Sequence, residues 1–201
     1  MFDLVSLIKS VGYLGLFGIV FAESGLFVGF FLPGDSLLFT AGFLASQGLL
    51  NIAVLIVICT SAAIVGDSFG YAFGRKVGPK IFRRERSLLF HPENLRRTKI
   101  FYERYGGKAI ILARFMPVVR TFVPIFAGIG RMHYPTFLFY NISGALLWAV
   151  GVTMIGYTLG SIVPGVDRYL LPIISAIIII SVLPPVIHVW RERRRPQNFD
   201  G

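Results

Sequence analysis

The chain has 201 residues, of which 55% are hydrophobic and 15% charged, and its mean hydropathy is +0.71. This composition excludes an ordinary soluble domain, because the apolar residues come in blocks of about 18 or more, the length that crosses a bilayer. The net charge of +10 could suit nucleic-acid binding, but eleven of the 20 Lys and Arg residues lie in residues 75–108 and four in residues 191–195. Basic clusters beside spans mark the cytoplasmic side of a membrane. We therefore predict an all-α polytopic membrane protein with a cytoplasmic C-terminus and no nucleic-acid partner.

The first part of the chain predicts a broken helical hairpin. An apolar arm at residues 11–22 leads to Glu23, and a second arm at residues 36–45 follows the Pro33-Gly34 break and Asp35. Neither arm alone crosses a bilayer comfortably. Together they suit a re-entrant hairpin, since broken backbone at membrane depth must be covered by protein or water.

A full span and a basic connector follow this hairpin. After a polar turn at residues 47–51, the apolar run 52–65 predicts a transmembrane helix that continues to Arg75. Residues 75–108 form the only substantial polar segment, and part of it has helical periodicity with a basic face. We predict a cytoplasmic connector that touches anionic lipid headgroups, with a regulatory binding module as the alternative.

The second half opens with another predicted hairpin, residues 109–130, which carries Arg114, Arg120, Pro117 and Pro124. Each proline removes a backbone donor, so we expect both prolines to break the helix. A charged side chain costs about 2.5–3.5 kcal/mol in the hydrocarbon core and therefore needs a partner or an aqueous cavity. Buried cations beside a helix break are the arrangement of an anion site.

Two further spans are predicted after this hairpin. Pro135 suits the first turn of a helix, and residues 136–160, which contain no Asp, Glu, Lys or Arg, predict a transmembrane helix. A turn at residues 164–168 precedes a final span, residues 169–190, which the basic residues 191–195 would anchor on the cytoplasmic side.

An internal repeat relates residues 12–74 to residues 109–160, each a broken hairpin followed by a span. Two motifs recur with one offset of 86 residues. Because both basic clusters are placed inside, the first hairpin would enter from outside and the second from inside, as in inverted-repeat secondary transporters. Paired glycines at a spacing of four predict helix-packing faces. The recurring motifs are Ala41-Gly42 with Gly70-Tyr71-x-x-Gly74, and Ala127-Gly128 with Gly156-Tyr157-x-x-Gly160.

Four charges lie in these apolar runs, namely Glu23, Asp35, Arg114 and Arg120. Their signs compensate, and we predict that they meet. Stabilising salt bridges alone do not explain these charges, because a buried ion pair often contributes no more to stability than apolar residues of similar size would. Arginine offers a planar fork to phosphate, and a carboxyl group in low dielectric can carry a proton. We assign substrate binding to the two arginines and proton coupling or charge balance to the two acids.

Three other polar residues are candidate accessory residues. Asp67 is predicted to pair with Arg75 or Lys76. Asn141 and Trp148, seven residues apart on one helix face, could line the cavity or make ordinary interhelical hydrogen bonds. The three histidines have no metal-ligand spacing, so we expect no metal and no other cofactor.

The ordered motifs of residues 12–160 resemble those of a known family. They are Phe21-Ala22-Glu23, Pro33-Gly34-Asp35-Ser36-Leu37-Leu38, Gly66-Asp67, Gly70-Tyr71, Ala113-Arg114-Phe115, Val119-Arg120-Thr121, Ala127-Gly128, Asn141, Gly144-Ala145 and Trp148. Together they resemble the DedA family of bacterial inner-membrane proteins, whose core is the VTT domain. The resemblance implies two opposed re-entrant hairpins. It also places the functional acids on Glu23 and Asp35, and the functional arginines on Arg114 and Arg120.

The resemblance further implies a flippase for an anionic lipid, with undecaprenyl phosphate as the expected substrate and the proton motive force as the coupling source. Two alternatives stay open from the residues: a proton-coupled exporter or exchanger of small solutes, and an uncoupled phospholipid scramblase. A lipid phosphatase would need a nucleophile or general acid near the arginines, and no His or Cys lies beside them in sequence. We therefore expect a transporter that is not an enzyme.

Overall fold

The computed structural model describes residues 4–26, 34–81 and 106–162. Within these ranges the chain is helical, without strands, and forms six helices. The connector residues 82–105, the predicted turn at 164–168 and the predicted final span at 169–190 lie outside the described residues. The six helices are α1 (Leu4–Gly25), α2 (Gly34–Ser46), α3 (Ile52–Ile81), α4 (Lys108–Ala113), α5 (Pro117–Ile129) and α6 (Tyr134–Ile162).

Two of these helices are long and apolar enough to cross a membrane. Residues 52–77 of α3 and all 29 residues of α6 meet this description, as the sequence predicts. Two shorter apolar helices, Val11–Gly25 and Val119–Ile129, coincide with one arm of each predicted hairpin. In α1, the backbone at Gly12 leaves the helical region with a φ of 57°, a conformation that glycine adopts without steric cost, and the helix kinks there.

In the second predicted hairpin, the helix breaks at one of the two prolines, Pro117, and continues through the other, Pro124. Residues 114–116 separate α4 from α5, and Pro117 occupies the first position of α5, where its missing N–H is no loss. Pro124, in contrast, lies inside α5, so the prediction that it breaks the helix is wrong. A proline removes a single bond of the helical ladder, and α5 keeps its path because it packs along α3.

The most extensive contacts join α2 to α6 and α5 to α3, while α1 packs chiefly on α3. Glycines allow the backbones to touch at these crossings. A Cβ atom at Gly156 would lie 2.1 Å from the carbonyl oxygen of Phe39, and one at Gly74 would lie 2.1 Å from that of Ile125. The predicted packing role of these glycines is confirmed, and the close crossings pack α2 on α6 and α5 on α3 at backbone distance.

This packing predicts opposite effects for two alanine substitutions in α6. Gly156→Ala forces a methyl group into the Phe39 backbone and should destabilise the protein by about 1–3 kcal/mol. Gly151→Ala is the matched control, because a Cβ there meets nothing within 4 Å and removing a helical glycine stabilises a helix by up to about 1 kcal/mol. Thermal unfolding in detergent measures both, and equal melting temperatures for the two variants would contradict the packing account.

Candidate functional site

Arg120 of α5 is enclosed between two carboxylates from the first part of the chain. Its Nη1 atom donates to Oδ1 of Asp35 at 2.8 Å, and its Nη2 atom donates to Oε1 of Glu23. Glu23 is 1% exposed and Arg120 8% exposed, so these ion pairs lie inside the protein. We call Glu23, Asp35 and Arg120 the triad.

Trp148 of α6 contacts two members of the triad. Its indole Nε1 donates to Oδ1 of Asp35 at 2.7 Å, and its ring lies 5.0 Å from the guanidinium carbon of Arg120, within range of a cation–π interaction. Four helices, α1, α2, α5 and α6, therefore supply side chains to one charged centre. The sequence suggests a polar role for Trp148 but does not identify its partners.

The contact between Gly34 and Glu23 explains why the Pro33-Gly34 motif contains a glycine. Its backbone N–H, at the start of α2, donates to Oε1 of Glu23 at 3.2 Å. A Cβ atom at this position would lie 1.5 Å from Oε2 of Glu23, so no larger residue leaves room for the carboxyl group. Within the described part of the chain, the Oε2 atom itself is buried without a hydrogen-bond partner, as is Nε of Arg120, and both atoms retain hydrogen-bonding capacity.

A second buried ion pair forms around Arg114, in the break between α4 and α5. Its Nη2 atom donates to Oδ2 of Asp67 and to Oδ1 of Asn141, each at 2.5 Å, and approaches the carbonyl oxygen of Ala63 at 3.5 Å. Asn141 in turn donates from Nδ2 to the carbonyl oxygen of Ile64 at 3.1 Å. We call Arg114, Asp67 and Asn141 the Arg114 cluster.

Two sequence predictions need correction here. Of the four charges expected to meet, three form the triad, whereas Arg114 pairs with Asp67. The predicted pairing of Asp67 with Arg75 or Lys76 is wrong. Residues eight or nine positions apart on a helix are separated by about 12–14 Å along its axis, and both basic residues are exposed near the end of α3. That rise per residue was the signal that could have redirected the prediction.

The two clusters differ in charge balance. The Arg114 cluster contains one guanidinium and one carboxylate, whereas the triad contains two carboxylates and one guanidinium. A buried net charge is costly, and two carboxylates that share a site cannot both ionise easily. The triad can thus hold either a proton or a full negative charge. Among the described residues, no group of three or more His, Cys, Asp or Glu side chains could hold a metal ion.

Comparison with known proteins decides the family. The VTT domain family model matches residues 32–158, and the chain is 50% identical over 184 residues to protein DedA of Escherichia coli K12, covering 90% of this chain and 84% of that protein. The chain belongs to the DedA family. The VTT domain match contains the whole Arg114 cluster and, except for Glu23, the whole triad.

Two further relatives of this chain are named as membrane proteins. A membrane protein of Mycobacterium leprae is 44% identical over 176 residues, covering 88% of this chain and 78% of its own length. Inner membrane protein YghB of Escherichia coli K12 is 37% identical over 166 residues, covering 81% and 74%. No solved structure matches the chain. With its two apolar spans, the chain is a membrane protein, and the family resemblance is confirmed.

The Arg114 cluster predicts a non-additive pair of substitutions. Asp67→Leu leaves a buried cation without its carboxylate and should destabilise the protein by about 3–5 kcal/mol. Adding Arg114→Met removes the uncompensated charge and should restore most of that loss, because apolar replacement of a whole buried pair is often neutral. Thermal unfolding in detergent of the single and double variants tests this, and a double variant no more stable than Asp67→Leu would show that the pair has another role.

Proposed function

We propose that this DedA-family protein moves an anionic lipid, with undecaprenyl phosphate or a related polyprenyl phosphate as substrate, across the bacterial inner membrane in a proton-coupled step. The observation that carries the proposal is the triad, in which one buried and one partly exposed carboxylate share one arginine. A charge-balanced ion pair has no need of a proton, and the Arg114 cluster is balanced in this way. An excess buried acid is the feature that proton exchange requires.

The arginines would bind the phosphate headgroup. A guanidinium presents a planar fork of donors that matches two phosphate oxygens. In the ranges that the structure describes, Nε of both Arg114 and Arg120 is buried without a partner. A phosphate that takes donors of Arg120 displaces a carboxylate of the triad and adds negative charge beside it. Both changes favour proton uptake by Glu23 or Asp35, so lipid binding and protonation become linked.

We further propose that the helices form two opposed re-entrant hairpins, α1 with α2 and α4 with α5, related by inverted repeat. The exchanged packing supports this arrangement. The second arm of each hairpin packs on the span of the other repeat, α2 on α6 and α5 on α3, which is how interlocked repeats bury their broken ends. The glycine motifs that recur at an offset of 86 residues lie at these same contacts.

Cysteine labelling tests the topology. Ser87→Cys and Gln197→Cys should resist a membrane-impermeant reagent applied to intact cells, because the basic segments that contain them are proposed to face the cytoplasm. Leu49→Cys is the positive control, since Leu49 is 54% exposed in the turn before α3, which the topology places outside. Efficient labelling at residue 87 or 197 would contradict the inverted-repeat topology.

Lysine variants test the phosphate site. Arg120→Lys and Arg114→Lys keep the positive charge but lose the two-pronged donor, so lipid-phosphate transport into proteoliposomes should fall at least tenfold for each. Their protein yield and melting temperature supply the control for folding. Normal transport by both lysine variants would rule out bidentate coordination and leave only an electrostatic role.

The same vesicles separate the alternatives. Release of inorganic phosphate from the lipid would identify a phosphatase, contrary to the proposal that the protein is not an enzyme. Transport of a water-soluble anion, with no lipid movement, would favour a small-solute exchanger. Lipid movement that ignores headgroup charge would favour a scramblase.

A further inference from the structure

The two acids of the triad have unequal surroundings. Oδ1 of Asp35 accepts from Arg120 at 2.8 Å and from Trp148 at 2.7 Å, and the side chain of Asp35 is 24% exposed. Oε1 of Glu23 accepts from Arg120 and from the Gly34 N–H, while its Oε2 is buried and has no hydrogen-bond partner among the described residues. Ionised Glu23 would therefore leave a charged oxygen enclosed and unpaired, which is more costly than leaving a neutral hydroxyl there.

We propose that Trp148 is a positioning residue that keeps Asp35 as the carboxylate partner of Arg120, so that the exchangeable proton of the triad resides on Oε2 of Glu23. An indole N–H can only donate, so its bond to Asp35 favours the ionised acceptor. The ring beneath the guanidinium holds Arg120 by a cation–π interaction in the same place. Trp148 thus acts on both partners of one ion pair.

The charged groups around Glu23 are consistent with this division. From α5 it faces Arg120, and from α2 it faces Asp35 and the Gly34 N–H. The buried acid of α3, Asp67, has its own guanidinium in Arg114. Among the described residues, one cation therefore serves two acids, and the acid with the less exposed side chain and the enclosed, unpartnered oxygen takes the proton.

The inference rests on the proposed function only for its consequence in transport. When an anionic headgroup occupies Arg120, Glu23 retains a proton on Oε2, taken from the aqueous phase. When the headgroup leaves, Oε1 of Glu23 pairs again with Arg120, and Oε2 can then exchange its proton with water. Asp35, held by Trp148, remains an acceptor throughout.

Isotope-edited infrared spectroscopy of the purified full chain in lipid bilayers locates the proton without any transport assay. Two samples carry a heavy carbon isotope in the side-chain carboxyl group, one in all glutamates and the other in all aspartates. At neutral pH, the band of a protonated carboxyl group should shift in the glutamate-labelled protein only and disappear in Glu23→Gln. A band that shifts with labelled aspartate, or no protonated-carboxyl band at all, would overturn the assignment.

Trp148→Phe tests the positioning role. It keeps an aromatic ring near Arg120 but removes the donor to Asp35, so part or all of the protonated-carboxyl band should move to the aspartate-labelled sample. Trp190→Phe is the matched control at the chain's other tryptophan and should leave the band with glutamate. A band that stays with glutamate in Trp148→Phe would refute the role of Trp148. If the spectra behave as expected but no lipid phosphate is moved, the proposed function falls and the proton assignment stands.

Discussion

Arg120 carries a full positive charge into a bundle whose buried side chains are mainly apolar, and the surrounding helices are arranged to satisfy it. Removing a guanidinium from water costs several kcal/mol, and that cost is recovered only with close carboxylates and further hydrogen bonds. Glu23 supplies one carboxylate from the end of α1 and Asp35 supplies the other from the start of α2. The two acids therefore lie at the helix ends on either side of the break between α1 and α2.

Close helix packing gives that convergence its precision. Glycines let α2 approach α6, and α5 approach α3, to backbone contact, which fixes the starts of α2 and α5 within hydrogen-bonding distance of their partners. At the start of α2, Gly34 both donates to Glu23 and leaves space for its carboxyl group. On α6, Trp148 and Asn141 serve one cluster each, so a single helix face braces both ion pairs.

Much of this could be predicted from the sequence, because charges in apolar runs and glycine spacing are local signals. They identified the spans α3 and α6, the break before Pro117 and seven candidate residues, of which six form the triad and the Arg114 cluster and the seventh, Trp148, contacts the triad. The pairing could not be predicted, since which arginine meets which acid depends on how distant helices cross. The pairing of Asp67 with Arg114 is an example. Pro124 is another, because the packing of α5 on α3 outweighs the tendency of a proline to interrupt a helix.

The central claim is that an excess acid in the triad links lipid-phosphate movement to protons. The most direct measurement is uptake of a lipid phosphate by proteoliposomes with and without an inward proton gradient. The account predicts that the gradient accelerates transport by the wild type, and that Glu23→Gln loses this response while the protein still accumulates and folds. Wild-type transport that is identical with and without the gradient would contradict the account and leave Glu23 and Asp35 as charge balance for Arg120.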